Sequence, residues 1–142
     1  MTSHDPKDPA VIVRMGRDAG LKALANRLFV ESCRYRYSYN FKWLGRPIIQ
    51  YPQDMIAVQE IIFETRPDLI IETGIAHGGS LIFSASILEL MGAPGRVVGI
   101  DIDIRAHNRA AIEAHPLAKR ITLIEGSSIE QATVDQVVST PE

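Results

Sequence analysis

The segment Asp68-Leu69-Ile70-Ile71-Glu72-Thr73-Gly74-Ile75-Ala76-His77-Gly78-Gly79-Ser80 constrains this chain more than any other. Leu69, Ile70 and Ile71 form a short apolar run without polar alternation, the pattern of a strand buried on both faces. Glu72 closes the run with a carboxylate. The glycines that follow let a ligand come close to the main chain. Ser80 is placed to cap the next helix, whose first N–H groups are free and carry partial positive charge. A carboxylate beside such a turn favours a ligand that both donates and accepts, such as a nucleoside carrying an amino acid, over a bare polyphosphate.

Two further units follow the same order. Ser80 to Met91 is apolar and rich in small residues, and Gly92 stands where a helix C-terminal glycine belongs. Arg96-Val97-Val98-Gly99-Ile100-Asp101 reads as a second buried strand ending in an acid, the position that accepts ribose hydroxyls in a βαβ nucleotide fold. Asp103 either shares that strand face or caps the next helix. Arg105 to Ala114 is helix-like, and His115-Pro116 stops it. Ile121 to Glu125 is a third strand, Gly126-Ser127-Ser128 a turn at its carboxyl end, and Ile129 to Val138 a third helix. The run β-α-β-α-β-α predicts a parallel sheet with right-handed crossovers.

The loop is not G-x-x-x-x-G-K-[ST], because no Lys follows Gly79, and not G-x-G-x-x-G, because Ala76 takes the place of the second Gly. Its pattern, E-x-G-x-x-x-G-G-S, resembles the first motif of class I S-adenosylmethionine (SAM)-dependent methyltransferases. A plain tight strand-to-helix turn is the alternative. Further residues narrow the resemblance: Tyr39-Asn40-Phe41-Lys42-Trp43-Leu44-Gly45-Arg46-Pro47-Ile48-Ile49-Gln50-Tyr51-Pro52-Gln53-Asp54, then Gln59-Glu60, then Arg66 to Gly74. With these the chain resembles the cephalosporin hydroxylase family from about Tyr39 to Ser128. Despite its name, that family has the class I methyltransferase fold and includes sugar O-methyltransferases.

The resemblance implies a Rossmann-like three-layer α/β/α fold, preceded by an N-terminal helix and extended arm. Only the first three parallel strands of the class I sheet are present. It implies SAM as cofactor, with Glu72, Gly74, Gly78, Gly79 and Ser80 in the cofactor loop. Asp101 takes the ribose and Ser127 the adenine side. It implies a small hydroxyl compound, such as a sugar, as methyl acceptor. A divalent metal, magnesium, would be held by acids on and after a fourth strand beyond Glu142, so no metal ligand is expected in this chain. On this reading the chain is the N-terminal part of a longer protein and inactive alone.

Composition narrows the classes. Over 142 residues the net charge is −2, which gives no global pull toward nucleic acid or anionic membrane. No apolar run approaches the ~18 residues of a membrane span. The single Cys33 forms no internal disulfide, and with the polar start it points to the cytoplasm. Residues 1–50 differ from the βα region 51–142 and read as a first part, helix and aromatic arm. Met1 to Pro9 is a loose arm, and Gly20 to Cys33 is a helix. Arg34 to Trp43 alternates with an aromatic at every odd position, which predicts an extended segment laid on the domain. Basic and aromatic alternation also suits single-stranded nucleic acid, but the charge supports no basic groove, and a packed arm is preferred. Tyr51-Pro52-Gln53-Asp54 opens a helix whose buried side is Met55, Ile56, Val58, Ile61 and Ile62.

Methyl transfer to a hydroxyl needs alignment and a base. His77, the only histidine in the glycine loop, is the candidate base, although a loop residue facing solvent is the blander and preferred reading. No Cys/His cluster has zinc spacing, and no G-x-S-x-G elbow occurs. Two other functions stay open: a non-catalytic Rossmann-like binding or dimerisation module, and an NAD-dependent enzyme in which Asp101 serves the ribose. Homo-oligomerisation is left open as well.

Overall fold

A computed structural model of the chain describes residues 8–139. The chain divides into two units, residues 1–37 and 38–142. In the first, α1 (Pro9–Arg17) and α2 (Ala19–Cys33) meet at Asp18. Asp8 caps α1 by accepting the Ala10 N–H at 2.9 Å, with Pro9 at the helix start. The Asp18 N–H donates to the carbonyls of Arg14 and Met15, closing α1, while its carboxylate accepts the Leu21 N–H and opens α2. Helix α1 is an addition to the sequence reading, which left Pro9 in a loose arm. The rest of that arm, Met1 to Lys7, lies outside the described residues. In α2 only Ser32 is buried, and Leu21, Leu24, Leu28 and Phe29 are exposed.

The expected extended segment from Arg34 to Trp43 forms only at its end. Arg36 takes a positive φ of 49°, Tyr37–Tyr39 is a single 3₁₀ turn, and strand geometry starts at Phe41. Period-2 alternation holds a strand only where one face is buried. Tyr35, Tyr37 and Tyr39 stay exposed, whereas Phe41 and Trp43 pack against the core.

The second unit opens with a hairpin that the sequence reading missed. β1 (Phe41–Trp43) pairs antiparallel with β2 (Arg46–Ile48) through Leu44-Gly45. Both turn residues have positive φ, 44° and 88°, which defines the I′ turn that suits strand twist. Helix α3 (Pro52–Thr65) begins at Pro52 with Asp54 in its first turn. Its buried stripe is narrower than expected: Ile62 is buried and Met55 half-buried, but Ile56, Val58 and Ile61 are exposed. The helix is apolar around most of its surface and packs along one line, mainly against α4 (Gly79–Leu90).

β3 (Leu69–Thr73), β4 (Arg96–Asp101) and β5 (Ile121–Glu125) form a parallel sheet in the order β3-β4-β5, in register Ile71↔Val98↔Thr122. Alternation along β4 sorts the core. Val97, with Ile70, Ile121 and Leu123, belongs to the main cluster, with Leu81 and Leu88 of α4 and Ile112 of α5 (Ala106–Glu113). Val98, Ile100 and Ile124 face the other way and meet Leu69 and Val137 of α6 (Gln131–Ser139). This second face is thinly covered, and its Ile71 on β3 is 50% exposed. The sheet with helices is the Rossmann-like α/β arrangement that the sequence predicts. Helix α4 ends at Gly92, φ 60°, whose N–H bonds Glu89 O while the Ala93 N–H reaches Leu88 O, a Schellman closure.

Candidate functional site

The three strand ends are stitched together at their carboxyl side. The Gly74 N–H donates to Ile100 O at 2.8 Å, and the Gly126 N–H to Asp101 O at 2.9 Å. Glu72, Asp101 and the Gly126-Ser127 turn therefore stand at one end of the sheet, where open α/β folds bind ligands. The Asp101 carboxylate takes part in this closure: Oδ2 accepts the Ile75 N–H at 2.9 Å and Oδ1 the Asp103 N–H at 3.3 Å. A carboxylate has about four acceptor positions, so two remain for a ligand. Asp103 is exposed and does not cap α5, whose capping position is Arg105. Ser127 is half-buried, beside the exposed Ile129.

The loop from Gly74 to Gly78 alternates in hand. Gly74, Ala76 and Gly78 all have positive φ, at 79°, 46° and 77°. Left-handed geometry at Ala76 carries strain of roughly 1 kcal/mol. Gly78 occupies the capping position before α4 and offers no side-chain cap; Ser80 is the second residue of the helix. The expected capping role of Ser80 is thus corrected. Its hydroxyl instead donates to Glu72 Oε1, because the left-handed turn at Gly78 starts the helix before Ser80 is reached. The two glycines also make room for their neighbours. A Cβ on Gly78 would come 2.6 Å from Ile112 Cγ1, and one on Gly79 would come 2.6 Å from the Pro47 carbonyl carbon and 2.7 Å from Ile48 Cα.

A cleft of about 500 Å³ opens beside β3. Glu72, Gly74, His77, Gly79 and Ser80 line it, together with Gln50, Met55 and Phe83; Gly78, Asp101 and Ser127 do not. Burial pushes the Glu72 carboxyl above its ordinary range, and the Ser80 hydroxyl offsets this in part. Among the described residues only one of its oxygens is engaged. Among the described residues the N–H groups of Ala76, His77, Gly79 and Ser80 find no acceptor. The cleft therefore offers a carboxylate that takes a ligand cation or donor and, in the same cleft, free N–H groups at a helix N-terminus that take an acceptor or anion. The ring of His77 makes no hydrogen bond among the described residues, and its position on the cleft wall leaves it accessible to a ligand.

Residues that the sequence reading did not single out complete the site. Arg46 of β2 donates to His77 O through Nε at 3.1 Å and Nη2 at 2.6 Å, and Nη2 also reaches Asn108 Oδ1 at 3.1 Å. Asn108 of α5, 4% exposed, donates to Ala76 O at 2.9 Å. Nothing in their local sequence distinguishes them from a surface Arg and a helical Asn. Ile102 and Ile129 are 76% and 92% exposed, and each follows a strand end that carries a site residue. Exposed aliphatic surface at these two places suits a flat base, and the signal was an apolar residue directly after each strand-end motif. Among the described residues no group of three or more His, Cys, Asp or Glu is placed to hold a metal ion, and no helix is long and apolar enough to cross a membrane.

Comparison with known proteins places the chain in a family. The family model described as Rhamnosyl O-methyltransferase/CmcI matches residues 35–142. A rhamnosyl O-methyltransferase of Mycobacterium leprae (strain TN) is 33% identical over 95 residues, 67% of this chain and 39% of that protein. One from Mycobacterium tuberculosis (strain ATCC 25618 / H37Rv) is 33% identical over 87 residues, 59% of this chain and 33% of that protein. The chain thus spans well under half the length of these curated relatives. Among solved structures, CmcI in its apo form superposes with a TM-score of 0.59 at 25% identity, covering 73% of this chain and 43% of that one. CmcI with Mg-SAM gives 0.56 at 26% identity, covering 68% and 40%. The chain belongs to the Rhamnosyl O-methyltransferase/CmcI family.

Proposed function

We propose that this chain forms the cofactor-binding part of a SAM-dependent O-methyltransferase. The observation that carries the reading is the presence, in one cleft, of the half-engaged Glu72 carboxylate and the free N–H groups of Ala76, His77, Gly79 and Ser80. An amino-acid moiety needs both: its ammonium goes to the carboxylate and its own carboxylate to the N–H groups. Asp101, with two acceptor positions left, takes the ribose hydroxyls, and Ile102, Ile129 and Ser127 flank the base. Gly74, with no side chain on the cleft wall, lets the ligand approach the main chain, while Gly78 and Gly79 let the turn pack on Ile112 and on the hairpin.

Bound there, SAM supplies an electrophilic methyl carbon on a sulfonium sulfur. The protein's part is alignment of an acceptor hydroxyl and removal of its proton. Of the groups on the cleft wall, His77 is the candidate base. The relatives' names suggest a rhamnosyl or comparable sugar acceptor. Magnesium, present with SAM in the CmcI structure, has no clustered ligand set among the described residues. The lone exposed Cys33 suits a reducing compartment, and we place the reaction in the cytoplasm.

Isothermal titration tests the reading. SAM and S-adenosylhomocysteine are expected to bind and NAD to give no heat. Binding of NAD alone, or of none of the three, would overturn it.

A further inference from the structure

We propose that Arg46 and Asn108 are positioning residues for the cofactor loop, fixing its peptide planes so that the free N–H groups are presented to the ligand. The inference rests on the cofactor reading above. In a trans peptide the N–H points opposite to the carbonyl of the same unit, and no peptide bond among the described residues is cis. The Ala76 carbonyl accepts from Asn108 Nδ2, so the His77 N–H is turned away from α5. The Ile75 carbonyl accepts from the Gly78 N–H at 2.7 Å, so the Ala76 N–H is turned out of the loop. The His77 carbonyl is held by two hydrogen bonds from the Arg46 guanidinium. Three consecutive carbonyls are thus occupied on the protein side, while the N–H groups of Ala76 and His77 have no acceptor among the described residues.

The pair locks itself. Arg46 Nη2 donates to Asn108 Oδ1, which leaves Nδ2 of the same amide to donate to Ala76 O. A buried amide with both ends used has one orientation, and reversing it would bring two donors together and leave two acceptors unpaired. The strained left-handed Ala76 needs such a hold, because a free loop would relax toward a commoner geometry. The hairpin has other anchors: Trp43 Nε1 donates to Ser86 Oγ at 3.0 Å, and the Trp43 ring meets Phe83 edge-on at 5.0 Å. Arg46 is therefore free to serve the loop rather than the seating of its own hairpin. Among the described residues it forms no ion pair. Its charge thus adds to the positive potential of the α4 N-terminus, where a ligand carboxylate would sit.

Arg120 provides the control. It also carries a guanidinium bound to two backbone carbonyls, Ala93 O and Gly95 O, each at 2.8 Å, but at the opposite end of the sheet. The experiment titrates S-adenosylhomocysteine into the full chain, its Arg46→Ala, Arg46→Lys and Arg120→Ala variants, with folded fraction followed by circular dichroism. Hydrogen exchange is measured without ligand at the Gly78 amide, which shares its peptide unit with the His77 carbonyl and donates to Ile75 O. Arg46→Ala is expected to raise Kd by about tenfold to a hundredfold, the loss of a charge-assisted hydrogen bond, and to speed Gly78 exchange. Arg46→Lys is expected to fall between, since an ammonium does not span both acceptors. Arg120→Ala is expected to lower the melting temperature and leave Kd unchanged. The inference is overturned if Arg46→Ala binds as the parent does, or if Arg120→Ala loses as much affinity at equal folded fraction. A parent that does not bind at all overturns the cofactor reading and this inference with it; a parent that binds while the Arg46 variants match it overturns this inference alone.

Discussion

Asp101 illustrates how one side chain serves both fold and ligand. Its carboxylate already holds the Ile75 N–H, so removing it loosens the loop as well as the ribose contact. Asp101→Ala is expected to weaken S-adenosylhomocysteine binding by about 1–3 kcal/mol in calorimetry, the range for a hydrogen bond to a charged group. Affinity equal to the parent's would show that ribose is held elsewhere. Glu72 gives a pH signature. Its folded pKa lies above the ordinary 4.5, chiefly through burial, so the native state keeps the proton to higher pH than the unfolded chain. The stability linked to this proton is fully present below the unfolded value and is lost as pH rises through the folded one. Glu72→Gln keeps an acceptor for Ser80 but has no proton to lose. Its urea midpoint is therefore expected to decline less than the parent's as pH rises from acid toward neutrality. Parallel profiles would mean that Glu72 is not the titrating group. Of the candidate-site residues, Glu72, Gly74, Gly79 and Asp101 were legible because each sits at a strand end or glycine turn. Arg46 and Asn108 were not, because their roles come from backbone carbonyls 31 and 32 residues away.

Each element was legible to the extent that its signals were local. β3, α4 and β4 announce themselves through apolar runs, a glycine turn at each end of α4, and the acid that closes β4. The hairpin was not legible, since three-residue strands are too short for a period and Leu44-Gly45 is not the usual Asn-Gly pair. Yet it is held firmly. Pro47 and Ile48 come so close to α4 that only glycine fits at position 79. Gly79→Ala is expected to cost about 1–3 kcal/mol, the range for overpacking against an unyielding neighbour. Urea denaturation measures this, and a loss below a few tenths of a kcal/mol would show that hairpin and helix part easily. The α4–β4 turn is secured similarly, by Arg120, just before β5, bonding two of its carbonyls while Lys119 and Arg120 pair with Glu89. The paired Lys119 and Arg120 hold the Glu89 carboxyl below its ordinary range.

For the whole molecule, the open side of the sheet matters most. β3 pairs only with β4 among the described residues, and it contains no Lys or Pro to discourage a further strand. Ile71 on its thinly covered face and Ile56, Ile61 and Phe63 on α3 add exposed apolar surface. The 142-residue chain is expected to self-associate at micromolar concentration, as measured by multi-angle light scattering. Ile71→Lys should shift it toward monomer. A parent that elutes as a monomer, with a cooperative melt, would show that the edge and faces are harmless as they stand.

By itself the sequence determined the order of elements from α3 onward, the parallel βα class and the end of the sheet that carries the candidate site. Apolar runs, glycines and strand-end acids act over a few residues, and chain order then leaves few topologies. It could not decide which apolar residues are buried. Ile56 and Ile62 look alike along α3, but one is 63% exposed and the other 5%, because a single neighbouring helix covers one stripe. Nor could it decide what Ser80 does, since its bond to Glu72 depends on where the left-handed turn at Gly78 starts the helix. The tertiary structure alone brought Arg46 and Asn108 onto the loop carbonyls. Hydrogen bonds between distant segments depend on how the hairpin and α5 pack around the sheet, and no local pattern encodes that packing.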